Sequence, residues 1–237
     1  MNKSICYIVG AGEQFHPLPR PAQGDLMIAA DGGYAFLAAA GIAADIFVGD
    51  FDSLAPESKA SGASEAGDAD GAQKPAFPAS CRVVPLPVIK DCTDTAAAIE
   101  LGLEAGYRRF YIYGGTGGRP DHTLANIQCL AAIARRGGQA SLIDRDNIIT
   151  CICNGSLSFP PQDSGFISVF SLSDFSQGVS ESGLKYTITD AKLTNTVPLG
   201  VSNEFTGAAS EISVQKGTLI IVYPYQLLNR AVYKSYI

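Results

Sequence analysis

The sequence predicts an α/β N-terminal domain with a mostly parallel sheet covered by helices, followed by a C-terminal all-β sandwich domain. Up to about residue 147, short β-rich runs alternate with helical patterns, which is typical of a parallel sheet covered on both faces. After that point short alternating runs are separated by Gly, Pro, Asn and Ser, as in antiparallel sandwiches and barrels. The predicted domains are therefore residues 1–147 and 148–237.

The strand candidates of the first domain are apolar runs rich in β-branched and aromatic residues. They are SICYIV, DLMIAAD, DIFVGD, CRVVPLPV, RRFYIYGG and ASLIDR. Helical patterns between them are expected to end at glycine or at a basic last turn, and they cover Tyr34–Ala40, Thr93–Ala105 and Thr123–Arg136. The strand candidates of the second domain are IITCICNG, GFISVFSL, AKLTNTVPLG, EISVQKG and TLIIVYP.

Composition limits the functions that the chain can have. With 237 residues, 46% of them hydrophobic, it can bury a sizeable core. The apolar stretch at the N-terminus is too short for a signal peptide, so we expect a cytoplasmic protein that does not bind membranes. Six cysteines without a C-x-x-C pair, together with two histidines, predict reduced thiols. The net charge of -6 argues against nucleic acid binding, so a bound polyphosphate would need a metal ion.

One segment fits neither pattern. From Ser58 to Ser80 the chain is rich in small and polar residues and has no periodicity. Such composition is typical of a mobile surface loop, and we expect one at about residues 58–80.

Two aspartates follow the apolar run DIFVGDFDS. Asp50 and Asp52 lie two residues apart, so both carboxylates point to the same side if strand geometry continues through Phe51. A cation between them would relieve their repulsion, and carboxylate oxygens suit Mg²⁺. A solvated turn in which each aspartate caps backbone amides explains the pair equally well.

Further carboxylates follow other predicted elements. Asp31 ends the run MIAAD and precedes two glycines, and ligand crevices in α/β sheets form at the carboxyl ends of the strands. In KDCTDT, Asp91 and Asp94 begin a helix. Asp91 as an N-cap with Asp94 in the first turn explains that pattern without any function, although a capping carboxylate still has lone pairs for a metal.

A glycine-rich stretch, GGTGGRPDH, links a predicted strand to a predicted helix. Backbone N–H groups of such a loop and the positive end of the helix favour a phosphate group. Arg119 adds a planar guanidinium suited to phosphate oxygens, and Asp121 opens the helix. The spacing is not that of the common P-loop. VGAGEQF near the N-terminus lacks the third glycine of a dinucleotide fingerprint and is interpreted as a turn at a strand end.

Taken together, these stretches resemble the bacterial form of the thiamine pyrophosphokinase family. The matching stretches are ADGG, VGDFDS, KDCTDT, GGTGGRPDHTLAN, GLKY and SNEF, in the family's order across most of the chain. The resemblance implies Mg²⁺-dependent transfer of a pyrophosphoryl group from ATP to the hydroxyl of thiamine, giving thiamine diphosphate and AMP. It also implies a homodimer with active sites between the subunits.

The resemblance also implies roles for individual residues. As metal ligands it implies Asp50, Asp52 and Asp91. As catalytic residues it implies Asp31, Asp94, Arg119 and Asp121. For ATP it implies Gly32, Lys90, Thr93, Thr95, Gly115, Thr116, Gly117, Gly118, Arg119, His122 and Asn126. For thiamine it implies Tyr186, Ser202 and Asn203. Eukaryotic members have tryptophan at the position of Tyr186, so stacking on thiamine is expected to be weaker here.

The chemistry expected from this reading is in-line attack of the alcohol on the β-phosphorus, with catalysis by positioning and charge stabilisation. Arg119 and Lys90 would neutralise the developing charge, and Asp31, Asp94 and Asp121 are alternative proton acceptors. Two other functions stay open: a related pyrophosphokinase for another small alcohol such as a pterin, and a non-catalytic thiamine or nucleotide sensor. A metal enzyme acting on sugar nucleotides is a third alternative, and it predicts no AMP.

Overall fold

The computed structural model describes residues 4–50, 77–87 and 91–236. Its helices are α1 (Gly33–Ala39), α2 (Asp94–Glu104) and α3 (Pro120–Arg135). The strands are β1 (Cys6–Val9), β2 (Leu26–Ala30), β3 (Ile46–Gly49), β4 (Arg82–Pro85), β5 (Arg109–Tyr113), β6 (Gln139–Ile143), β7 (Asn147–Phe159), β8 (Phe166–Ser171), β9 (Phe175–Ser182), β10 (Ile188–Thr194), β11 (Gly200–Glu204), β12 (Ser210–Pro224) and β13 (Val232–Ser235). A short 3-10 helix, Tyr225–Leu227, follows β12.

The N-terminal strands form the parallel part of one mixed sheet, in the order β6-β5-β1-β2-β3-β4. Most of these strands are buried on both faces, which explains why they are nearly continuous apolar runs. On one face, Val9 and Met27 pack in a core with Leu37 of α1. On the other face the core includes residues of α2 and α3. The predicted helices therefore cover both faces of this part of the sheet.

The sheet continues into antiparallel C-terminal strands through two long strands. β7 pairs with β6 on one edge and with β12 on the other. The free edge of β12 pairs with β9 along its first half and with β8 along its second half. The sequence predicted EISVQKG and TLIIVYP as separate runs, but both belong to β12, with a register shift between Val214 and Thr218. Gly217 at this shift has φ +124, a conformation that favours glycine.

The predicted domain boundary falls at the start of β7, and the hydrogen-bonded sheet runs across it. The division into domains 1–147 and 148–237 remains a prediction. No helix in the described part of the chain is long and apolar enough to cross a lipid bilayer. The cellular location likewise remains a prediction. All six cysteines are free thiols, as the sequence predicted.

Two helix starts differ from the sequence prediction. The N-cap of α2 is Thr93, whose side chain accepts a hydrogen bond from the backbone N–H of Ala96, so the predicted cap at Asp91 was wrong. Threonine caps a helix as aspartate does, and the motif offered both. Helix α3 begins at Pro120 instead of Thr123, because proline suits the first helical position, where its missing N–H costs nothing.

Most of the predicted loop at residues 58–80 lies outside the described residues, as do Asp52 and Lys90. The described end of that segment is packed onto the sheet. The ring of Phe77 lies 4.8 Å from that of Phe47 and 4.7 Å from that of Tyr34, measured between centroids.

Candidate active site

A cleft of about 490 Å³ opens at the carboxyl ends of β1, β2 and β5. Its walls are the loops that follow these strands and the first turns of α2 and α3. This is the edge at which open α/β sheets bind their ligands, because loops and helix N-termini meet there. The sequence predicted a site at this edge.

The cleft brings together many of the residues predicted from the sequence. Those that line it are Asp31, Thr93, Asp94, Thr95, Gly115, Thr116, Gly118, Arg119, His122 and Asn126. Other predicted residues are described but do not line it: Gly32, Asp50, Asp91, Gly117, Asp121, Tyr186, Ser202 and Asn203. Residues that line it but were not predicted include Gly10, Ala11, Gly12, Cys92 and Thr123.

The glycine-rich loop after β5 has a conformation that its sequence dictates. Gly114 and Gly117 have φ +64 and +83, where a side chain would be strained. A Cβ on Gly115 would lie 2.5 Å from Leu142 Cδ1. The buried Asn126 of α3 donates a hydrogen bond of 2.9 Å to the Gly115 carbonyl. Asn126 thus holds the loop in place, a contact distinct from the ATP-binding role that was predicted for it.

The loop after β1, which the sequence analysis interpreted as a simple turn, forms a second wall of the cleft. The backbone N–H of Gly12 donates to the Gly114 carbonyl at 2.9 Å, so the two glycine loops are joined directly. A Cβ on Gly12 would lie 2.5 Å from that carbonyl oxygen. Gln14 donates from Nε2 to the carbonyls of Gly10 and Gly12 at 3.1 Å each. Paired glycines after a buried strand were the only sequence signal for this wall.

Asp31 lies where β2 and β3 end side by side. Its φ is +50, which is uncommon for a residue other than glycine and is concentrated at functional sites. Its backbone N–H donates to the Val48 carbonyl at 2.8 Å. A Cβ on Gly49 would lie 3.1 Å from Asp31 Cα, so Asp31 is close to the chain just before Asp50.

The described residues contain no group of three or more histidine, cysteine, aspartate or glutamate side chains placed to hold a metal ion. The predicted ligand Asp52 lies outside them. Of the other predicted ligands, Asp50 is partly buried and Asp91 is exposed. These are carboxylates only, and oxygen donors of this kind fit Mg²⁺ rather than a softer metal.

Arg119 and Asp121 form an exposed ion pair at the N-terminus of α3. Arg119 Nη2 lies 2.5 Å from Asp121 Oδ2, and Nε lies 3.2 Å from Oδ1. This hydrogen bonding lowers the pKa of the Asp121 carboxyl and raises the pKa of Arg119. Asp121 is consequently a weaker proton acceptor than an ordinary aspartate, and its contact orients Arg119.

Of the residues predicted to contact thiamine, Ser202 and Asn203 lie in β11, and Tyr186 lies between β9 and β10. Tyr186 is 60% exposed. Asn203 is buried, and its Oδ1 accepts from the backbone N–H groups of Tyr186 and Glu204 at 2.9 Å each. Its Nδ2 donates to the Tyr186 carbonyl at 2.6 Å and to Glu181 Oε2 at 2.9 Å. The Asn203 amide is thus fully engaged by Tyr186, Glu181 and Glu204. Ser202 is exposed, with φ +57.

Two family models match separate parts of the chain. Residues 22–142 match the family model "Thiamin pyrophosphokinase, catalytic domain", and residues 157–219 match "Thiamin pyrophosphokinase, vitamin B1 binding domain". The chain belongs to the thiamin pyrophosphokinase family. A thiamine pyrophosphokinase of Bacillus subtilis is 31% identical over 134 residues, which are 56% of this chain and 63% of that relative.

Solved structures of the thiamin pyrophosphokinase family share the fold over nearly the whole chain. The crystal structure of the Bacillus subtilis thiamine pyrophosphokinase has a TM-score of 0.72 and 26% identity, and covers 94% of this chain and 99% of that one. A family member from Enterococcus faecalis has a TM-score of 0.71 and 25% identity, with coverage of 94% and 99%. Yeast thiamin pyrophosphokinase, at 14% identity, has a TM-score of 0.64 with coverage of 97% and 88%, which shows the shared fold.

Proposed function

We propose that this protein transfers a pyrophosphoryl group from ATP to the hydroxyl of thiamine, giving thiamine diphosphate and AMP. The observation that carries the proposal is the cleft: two joined glycine loops, the N-termini of α2 and α3, and Arg119 face one space in a chain of this family. Glycine loops and helix N-termini offer N–H groups to phosphate oxygens. No observation favours a pterin or a purely sensory role.

The residues of the cleft have complementary roles in this proposal. Thr93 and the backbone around Gly115 bind the phosphates, and Arg119 neutralises charge that develops on the transferred group and on the leaving AMP. Thr95, Gly118 and His122, which also line the cleft, would contact the nucleotide. Asp31 and Asp94 remain candidate proton acceptors, whereas the contact with Arg119 makes Asp121 the weakest of the three.

Asp50, Asp52 and Asp91 would hold Mg²⁺. The bound ion would supply charge neutralisation for the phosphates. Asp31, at the adjacent strand end, would complete this acidic edge of the cleft.

Thiamine binding is proposed for the C-terminal strands of a partner subunit. Tyr186, Ser202 and Asn203 do not line the cleft that the described residues form. Around the edge strand β11, large apolar side chains are exposed, and these are Phe166, Tyr186, Leu199 and Val201. Such a patch supports a homodimer in which the C-terminal sandwich of one subunit faces the cleft of the other. The two predicted domains would then supply one active site jointly.

Within this arrangement Tyr186 would lie against the thiazolium ring and Asn203 would fix the backbone of Tyr186. Replacing Tyr186 with alanine should raise the KM for thiamine and leave the KM for ATP unchanged. An unchanged KM for thiamine would remove Tyr186 from the site.

The deciding experiment incubates the protein with Mg²⁺, ATP and thiamine and measures AMP and thiamine diphosphate by chromatography. Controls omit thiamine or add EDTA. Equal amounts of both products, dependent on thiamine and on the metal, are expected. Nucleotide binding without either product would contradict the proposal, and AMP formed with a pterin alcohol instead would identify another acceptor.

A further inference from the structure

Among the threonines that line the cleft, Thr93 and Thr116 have hydroxyl groups that are hydrogen-bonded in opposite directions. Thr93 Oγ1 accepts a hydrogen bond of 3.1 Å from the backbone N–H of Ala96. Its own proton therefore stays available to a ligand. Thr116 Oγ1 instead donates its proton to Asp144 Oδ1, at 2.6 Å.

A hydroxyl group has one proton and two lone pairs, so the direction of its first bond decides what else it can bind. The proton of Thr116 is committed to a carboxylate, and a bond of this length to an anion is among the stronger neutral-to-charged contacts. Thr116 is 6% exposed, so water has little access to replace Asp144. On the side that faces the cleft, Thr116 Oγ1 can then only accept a hydrogen bond. Phosphate oxygens are acceptors too and cannot pair with it.

The structure fixes Asp144 from several directions. Its backbone N–H donates to the Asn147 carbonyl at 3.0 Å, which closes a turn between β6 and β7. His16 Nε2 lies 3.1 Å from the Asp144 carbonyl and 2.9 Å from that of Arg145, so it is the N–H donor to both. The His16 ring stacks on Tyr225 with centroids 3.5 Å apart. This support comes from the turn itself and from two segments distant in sequence, and it holds the backbone of Asp144 in place.

We propose that Asp144 is a positioning residue that holds Thr116 as the hydrogen-bond acceptor for the alcohol to be phosphorylated. The inference rests on the proposed function. Thr116 lies inside the glycine loop just before α3, beside the proposed phosphate site. The attacking alcohol is the reactant group that brings an O–H proton next to a phosphate, so it is the donor that Thr116 can accept from. Thr93, with its proton available, is the matching donor to a phosphate oxygen.

The test compares Thr116→Val, Thr116→Ser, Asp144→Ala and the Thr116→Val/Asp144→Ala double variant in the AMP assay. Asp146→Asn, which removes a carboxylate from the same turn, is the matched control. Thr116→Val and Asp144→Ala should each lower kcat/KM for thiamine about ten- to hundredfold, as expected for loss of one charge-assisted contact. The double variant should be no worse than the more damaging single variant. The control should match the wild type. Thr116→Ser, which keeps the hydroxyl, should lose less kcat/KM than Thr116→Val, and the KM for ATP should not change.

Different results would overturn the inference. A raised KM for ATP with unchanged thiamine kinetics would mean that Thr116 donates to a phosphate, and fully additive losses would mean that the two residues act separately. If Asp144→Ala does not fold, the buried and nearly isosteric Thr116→Val, compared with Thr116→Ser, decides the question. A wild-type protein that forms no AMP would instead contradict the proposed function. An active wild type whose Thr116→Val variant is equally active would contradict only the role of Thr116 and Asp144.

Discussion

The two ends of α3 have the same kind of ion pair in very different settings. At the N-terminus Arg119 pairs with Asp121, and at the C-terminus Arg136 pairs with Glu100 of α2 at 2.7 Å. Both pairs are exposed. The helix dipole favours a cation at the C-terminus and disfavours one at the N-terminus. Arg136 therefore lies where helix electrostatics stabilise it, and Arg119 lies where they do not.

The comparison indicates which pair serves binding. Of the two arginines, only Arg119 lines the cleft, and as the N-cap residue of α3 it makes no side-chain capping hydrogen bond. A guanidinium held by Asp121 beside N–H groups without intrahelical partners forms a positively polarised surface for an anion. The same chemistry at Arg136 joins two helices and faces no cleft.

Activity should separate the two arginines most strongly. Arg119→Ala is expected to lower kcat about 10²- to 10³-fold, because it removes a cation that acts on developing negative charge. Arg136→Ala, the matched control at the other end of the helix, should retain wild-type kcat. Steady-state AMP formation measures both. Equal losses in the two variants would mean that the effect comes from the helix and would contradict a role in the cleft.

The reactivities of the Cys92 and Cys129 thiols should also differ. Cys92 is exposed and lines the cleft, whereas Cys129 of α3 is partly buried and burial raises its pKa. Because the thiolate is the reactive form, N-ethylmaleimide should modify Cys92 first, and MgATP should slow that reaction. Mass spectrometry of the labelled peptides measures both rates, with Cys92→Ser as the control. Labelling of Cys92 at the same rate with and without nucleotide would place ATP elsewhere.

The melting temperatures of the two arginine variants should show the smallest difference, and here Arg136→Ala should be the more affected variant. Arg136→Ala is expected to lower the melting temperature slightly, and Arg119→Ala to lower it less, because only Arg136 is favoured by the dipole. The pKa of Asp121 is lowered in the folded state, so its pair contributes above the ordinary value of 3.8 and is lost as the pH falls through the folded-state pKa. Thermal melts at neutral and acid pH check this order. A larger loss in Arg119→Ala would show that its pair is structural.

Much of the N-terminal half could be predicted from the sequence, because its strands are continuous apolar runs and the glycine loop is a local pattern. Other features depend on partners that are distant in sequence. The wall at Gly12 exists because its backbone N–H bonds to the Gly114 carbonyl. The direction of the hydrogen bond that the Thr116 hydroxyl makes depends on Asp144. Asn203, predicted as a ligand contact, has its amide engaged by Glu181 and Tyr186. No spacing rule reveals such pairs.

Partners that are distant in sequence also explain why the C-terminal strands differ from their prediction. Gly217 and its neighbours suggested a break between two runs, but a register shift lets β12 continue through that point. Burial also changes a chemical property that sequence does not show, since it raises the pKa of the Glu181 carboxyl. Strand bends and buried carboxyls follow from packing, which local propensity describes only in part.

The stacking of His16 on Tyr225 gives protein synthesis an order in which the cleft is completed. Residues 10–126 and Asp144 leave the ribosome well before Tyr225, so the glycine loops can meet before Tyr225 stacks on His16. A nascent chain, or one that ends before residue 225, would have the walls of the cleft and lack this last contact. During synthesis the walls of the cleft would therefore form before the stacking contact beside Asp144 does.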